Sequence, residues 1–124
     1  PEVQNIEAVR FDDKITIICK EGGEKEISKT VPLGEELWKK KERIEERYFA
    51  PQGFDTIAAI IFVDGVRIIF GNQDIIHLRP SGNAPEFRCY SNANSPERAC
   101  EIVRLGLNSI VPKIRNDLEN GGVI

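Results

Sequence analysis

Val63-Asp64-Gly65-Val66-Arg67-Ile68-Ile69-Phe70-Gly71-Asn72-Gln73-Asp74-Ile75-Ile76-His77-Leu78-Arg79 reads as strand, turn, strand, and it sets the fold class for the whole chain. The runs on either side of Asp64-Gly65 are rich in isoleucine, valine and phenylalanine, the residues that fit a pleated, half-buried surface. Asp-Gly between two such runs is a hairpin signal, because a tight hairpin turn needs positive φ at both central residues. Gly71-Asn72-Gln73 marks a second turn. Four strands are therefore expected, over 54–63, 66–70, 74–79 and 86–91. Links this short join antiparallel neighbours.

Working outward, Ser95 stands as an N-cap before Pro96, with Glu97 in the first turn, so a helix starts there. Ala99, Ile102, Val103, Gly106, Leu107 and Ile110 recur at three- and four-residue spacing and give it one apolar face. Pro112 is expected to kink or end it, since it lacks the N–H that would bond the carbonyl of Asn108. On the N-terminal side, residues 34–49 carry helix formers with Glu35–Lys39 and Glu36–Lys40 pairs, and Leu37, Ile44 and Tyr48 mark the buried side. Lys39-Lys40-Lys41 lies among glutamates and reads as a solvated helix face, and Trp38 as packing. Further upstream, 6–11 and 14–20 form a hairpin about Asp12-Asp13, and 25–31 a short strand ended by Pro32. The hairpin is either an extra element packed on the domain or the trailing edge of a preceding one.

The order is α+β: an antiparallel sheet of four to five strands with two helices on one face, in the order β-α-β-β-β-β-α, plus an N-terminal β-hairpin. The chain divides into the hairpin (1–20), one domain (21–118) and a tail (119–124), with fraying expected from Asn116 onward. At 124 residues it is long enough for one core. A net charge of −3 argues against a general nucleic-acid binder, which needs surplus Lys and Arg. No apolar run approaches the roughly 20 residues that span a bilayer, so no membrane association is expected. Cys19, Cys89 and Cys100 are odd in number and form no C-x-x-C pair, as suits free thiols in a reducing compartment, and a cytoplasmic location follows.

The stretch that carries chemistry is Arg79-Pro80-Ser81-Gly82-Asn83-Ala84-Pro85-Glu86-Phe87-Arg88. Ser81, Gly82, Asn83 and Ala84 keep their backbone N–H groups between two prolines, and a tight turn can aim several of them at one anion. Gly82 permits positive φ, and Ser81 and Asn83 add short polar side chains. Arg79 supplies a planar fork matched to two phosphate oxygens. Arg88 either lines the same pocket or pairs with a surface acid, and two-residue spacing puts it on one strand face with Tyr90. His77 reads as a structural strand residue rather than a general base. Asp64 is explained by its turn, and neither it nor Asp74 stands among clustered oxygen donors, so no metal is expected.

The ordered series D-G-V-R-I at 64–68 and H-L-R-P-S-G-N-A-P-E-F-R-C-Y at 77–90 resembles the C-terminal domain of the α-D-phosphohexomutases, the family of phosphomannomutases and phosphoglucomutases. The likeness covers roughly residues 25–118 and implies a fold similar to the TATA-binding protein, without DNA function. It further implies a loop that grips substrate phosphate through Arg79, Ser81, Gly82, Asn83, Ala84 and Arg88. Family enzymes move phosphate between C1 and C6 of a hexose through a phosphoserine and a hexose 1,6-bisphosphate, with magnesium. No serine, metal or sugar segment of the family pattern occurs in these residues. The chain alone is thus expected to be catalytically incomplete, with no catalytic residue and no cofactor of its own, and to need the missing N-terminal mutase domains and a hexose phosphate as partners. Asn83-Ala84 stands where a common family form has Thr-Glu, which removes a carboxylate and leaves the hexose undetermined. The alternative is a free-standing, non-catalytic module that binds a phosphorylated metabolite or a protein. A nucleic-acid binder of the same fold is the third.

Overall fold

A computed structural model describes residues 6–80 and 87–121. Seven strands form one open antiparallel sheet: β1 (Ile6–Phe11), β2 (Ile15–Cys19), β3 (Glu24–Ile27), β4 (Ile57–Ile61), β5 (Val66–Phe70), β6 (Ile75–Pro80) and β7 (Phe87–Asn92). Their spatial order is β3-β2-β1-β4-β5-β6-β7. The α+β class stands as expected from the sequence. The N-terminal hairpin is continuous with the sheet, because β1 pairs antiparallel with β4 through Ala8–Ile61, Val9–Ile60 and Arg10–Ala59.

Alternation along the strands separates two faces. Ile57, Ile68, Phe70, Ile76 and Leu78 are buried on one of them, together with Tyr48, Phe49, Ile102, Ile110 and Val111 from the helical segments. A smaller cluster of Val9, Ile15 and Ile27 continues this layer beneath Leu37 and Trp38. The other face is open and carries Arg67, His77, Tyr90, Arg79 and Arg88, as the strand registers require.

Helix α1 (Pro32–Ile44) runs into a widened π turn at Glu45–Phe49 that brings Tyr48 and Phe49 into the core. Phe49, Phe54 and Phe70 pack there with ring centroids 4.8 to 5.4 Å apart. Trp38 packs edge-on against Phe11 at 5.9 Å, the packing role its position suggested. Lys41 departs from the expected solvated face. It is 6% exposed, and its Nζ donates to Glu45 at 2.7 Å, while Glu45 also accepts from the backbone N–H of Ile57. By contrast Glu36–Lys40, of the same spacing, is an exposed pair at 3.4 Å.

α2 (Pro96–Leu105) is capped as expected, with the N–H of Arg98 donating to Ser95 Oγ at 3.1 Å. Pro112 does not end the helix. A second π turn at Gly106–Ile110 leads directly into α3 (Val111–Glu119), and the N–H of Val111 reaches back to the carbonyl of Gly106. The wider turn relieves the contact between the proline ring and the preceding turn that a regular helix would force. It also leaves Leu107, expected on the apolar face, 44% exposed. Fraying from Asn116 is not seen through Glu119, because α3 is tied down by Asp117. Arg47 donates to both carboxylate oxygens of Asp117, at 2.9 and 2.7 Å, and the Tyr48 hydroxyl donates to Oδ2 at 2.7 Å.

Candidate anion site on the open sheet face

The turn at Asp64-Gly65 has φ of +53° and +97°, the two positive values that the Asp-Gly reading required. It also packs against β6. A Cβ on Gly65 would lie 2.2 Å from the carbonyl oxygen of Leu78 and 3.0 Å from the Cα of Arg79, so only glycine fits this approach. The turn thereby sets where Arg79 leaves the sheet. Asp64 Oδ2 stands 3.8 Å from the Arg79 guanidinium, with both side chains well exposed, so the pair orients Arg79 weakly and does not neutralise it. The carbonyl of Asp64 accepts from His77 Nε2 at 2.9 Å, which places the ring proton on Nε2 and supports the structural reading of His77.

Arg79 and Arg88 are direct cross-strand partners on β6 and β7. Residues in that relation have Cβ atoms about 5 Å apart on one face, and like charges so placed repel. Arg88 has no ion-pair partner among the described residues, so the pairing with a surface acid that the sequence left open does not form there. One row further along, His77 and Tyr90 face each other with ring centroids 6.0 Å apart, and the Arg79 guanidinium carbon lies 5.9 Å from the Tyr90 ring centroid. Two guanidinium groups, an exposed phenol ring and a fixed imidazole thus share one patch. Ser81, Gly82, Asn83 and Ala84 lie outside the described residues. The strand ends on either side of them, Pro80 and Phe87, are paired across β6 and β7.

Other groups weighed in the sequence are used elsewhere. Asp74 is buried and accepts from Arg98 Nε at 3.0 Å and from Asn72 Nδ2 at 3.2 Å, so it anchors α2 to the sheet. Cys89 projects to the helix-covered face against Gly106, and burial pushes its thiol up to about 11, which leaves it protonated and unreactive at neutral pH. Among the described residues, no three His, Cys, Asp or Glu side chains gather as a metal site would need, and no helix is long and apolar enough to cross a membrane.

A cleft of about 520 Å³ opens on the opposite, helix-covered side, between β4–β7 and the helical segments. Its walls include Phe62, Val66, Phe87, Val111, Ile114 and Leu118, with Arg115 and Glu119 as its charged members. An almost wholly apolar lining is unsuited to a phosphate, which needs convergent donors. The candidate anion site among the described residues is the patch around Arg79 and Arg88. The sequence reading grouped Arg88 with Tyr90 on one strand face but did not bring Asp64 beside Arg79. A register counted outward from the Gly71-Asn72-Gln73 turn, which opposes Val66 to Leu78, was the signal for it.

A stretch of 51 residues is 59% identical to a phosphomannomutase of Salmonella muenchen, covering 41% of this chain and 11% of that protein. A stretch of 45 residues is 51% identical to a phosphomannomutase of Sinorhizobium fredii, covering 36% of this chain and 10% of that one. The matched stretches span about a tenth of the length of these relatives. No family model and no solved structure matches the chain.

Proposed function

From a chain related over part of its length to the phosphohexomutases, we propose a substrate-phosphate-binding C-terminal domain of such an enzyme, in which Arg79 and Arg88 hold the non-reacting phosphate of a hexose phosphate. The observation that carries this reading is the cross-strand juxtaposition of Arg79 and Arg88. Two positive groups face each other at a strand end, with the exposed Asp64 at 3.8 Å from Arg79, and a dianion between them turns mutual repulsion into two charge-assisted contacts. Ser81, Gly82, Asn83 and Ala84 are proposed to add backbone and hydroxyl donors from the intervening loop.

In this reading the domain orients and does not react. Gripping one phosphate positions the far end of the sugar, so remote binding energy serves a transfer that groups outside this chain perform. The phosphoserine, magnesium and hexose 1,6-bisphosphate implied for a complete mutase belong to the remaining domains. The described residues gather no acidic cluster to hold magnesium. The complete enzyme of this reading transfers phosphate between C1 and C6 of a mannose or glucose phosphate.

The test is titration of the 124-residue chain with mannose 1-phosphate and glucose 6-phosphate, following backbone amide shifts and assaying turnover in the same sample. Shifts confined to 79–90 without turnover are expected. Arg79→Ala is expected to weaken binding by roughly 2 to 4 kcal/mol, the loss of a charge-assisted contact, while leaving the melting temperature unchanged. Unchanged binding in this variant would remove Arg79 from the site. Turnover by the chain alone would overthrow its role as an incomplete part.

A further inference from the structure

Tyr90 is not among the residues that build either core cluster. Its ring sits on the open face of β7 and is 43% exposed, while the neighbours that face the core, Cys89 and Ser91, are engaged with Gly106 and with the carbonyl of Ala99. Large aromatic rings left on an open sheet face gain by covering something apolar. What lies beside this one is the arginine pair. Register places His77–Tyr90 two residues along the strands from Arg79–Arg88, on the same face, which is a separation of about 6.7 Å. That is the step from a phosphate to the body of the ring it is attached to.

We infer that Tyr90 is the platform on which the sugar ring of the bound hexose phosphate lies, with His77 as the fixed edge of that platform; this rests on the phosphate reading of Arg79 and Arg88. The geometry restrains both rings. His77 is oriented by the Asp64 carbonyl and stands beside the Tyr90 ring, with centroids 6.0 Å apart. The Arg79 guanidinium lies over the same tyrosine ring, its carbon 5.9 Å from the ring centroid, so a phosphate on Arg79 sits beside that ring. A pyranose presents C–H groups on one face and hydroxyls at its rim. It can set the former on Tyr90 and leave the latter for groups elsewhere, so this subsite selects for a ring and not for one epimer.

Tyr90 is then a binding residue for the organic part of the ligand alone. The discriminating experiment titrates the 124-residue chain with inorganic phosphate and with mannose 1-phosphate, in the wild type, Tyr90→Ser and Tyr90→Phe, with thermal melting as the check on folding. The wild type is expected to bind mannose 1-phosphate more tightly than inorganic phosphate. Tyr90→Ser should weaken mannose 1-phosphate roughly tenfold and leave inorganic phosphate unchanged, and Tyr90→Phe should keep the wild-type preference. Equal affinity of the wild type for both ligands, or equal loss of both in Tyr90→Ser, overturns the platform while leaving the phosphate site standing. Binding of neither ligand by the folded wild type overturns the phosphate reading, and the platform with it.

Discussion

Arg47 and Arg79 carry the same guanidinium into opposite circumstances. Arg47 is forked onto both oxygens of Asp117, a carboxylate 5% exposed that also accepts from Tyr48, and the trio locks the first π turn to α3. Those hydrogen bonds hold the Asp117 carboxyl down to about 2, with the Arg47 bonds the largest cause. Arg79 has an exposed aspartate at 3.8 Å and a second arginine directly across the strand pair. A guanidinium whose fork is filled by its own chain is part of the scaffold, and one set against its own kind is available to a ligand. Counting arginines in the sequence cannot tell these apart, because the partner of Arg47 is 70 positions away.

The largest effect should come from attacking the filled fork. Asp117→Asn is expected to lower the melting temperature at pH 7 more than any other change considered, and the difference should depend on pH. The folded-state pKa near 2 lies below the ordinary 3.8, so the carboxylate contributes fully above about pH 4, and its contribution is lost as pH falls through 2. Wild type and variant melting temperatures should therefore converge between pH 4 and 2. Parallel curves would show that Asp117 does not hold the trio together. Gly65→Ala comes next, at about 3 kcal/mol by denaturant unfolding, since it places a Cβ against the backbone of Leu78 at a positive φ.

Tyr48→Phe should cost about 1 kcal/mol, the usual value of one hydrogen bond, and leave Asp117 its two bonds from Arg47. The phenol of Tyr48 is pushed up to about 12, first by burial and then by its bond to Asp117, so its contribution is intact below pH 10 and is lost as pH rises through 12. The smallest effect sharpens the contrast most. Arg88→Glu should stabilise the ligand-free chain by about 0.5 kcal/mol, by exchanging a cross-strand repulsion for an attraction, and at the same time abolish binding of sugar phosphate. A variant that is less stable, or that still binds, would remove the distinction between the two kinds of arginine.

The reach of the sequence follows from how local each cause is. Ser95 before Pro96, and Asp64 before Gly65, are complete instructions within a few residues, and both elements form where they were expected. The joining of β1 to β4 has no such instruction, because the partner residues lie some 50 positions apart with α1 between them. Lys41–Glu45 and Glu36–Lys40 have identical spacing and opposite burial, which only the packing of α1 decides. At the candidate site, the alternation along β7 put Arg88 and Tyr90 together. The register that opposes Arg88 to Arg79 depends on the length and type of the turn between them, which composition alone does not state.

The second π turn holds one more residue than its axial length needs, which is the trace an insertion leaves in a helix. Removing Leu107, whose side chain is 44% exposed, would restore a regular spiral and bring the ring of Pro112 back against the carbonyl four positions before it. The extra residue and the proline are therefore a linked pair of sequence events. Relatives of this domain that shorten the helix here should be those that have also exchanged the proline, and an engineered deletion should be tolerated only in company with Pro112→Ala.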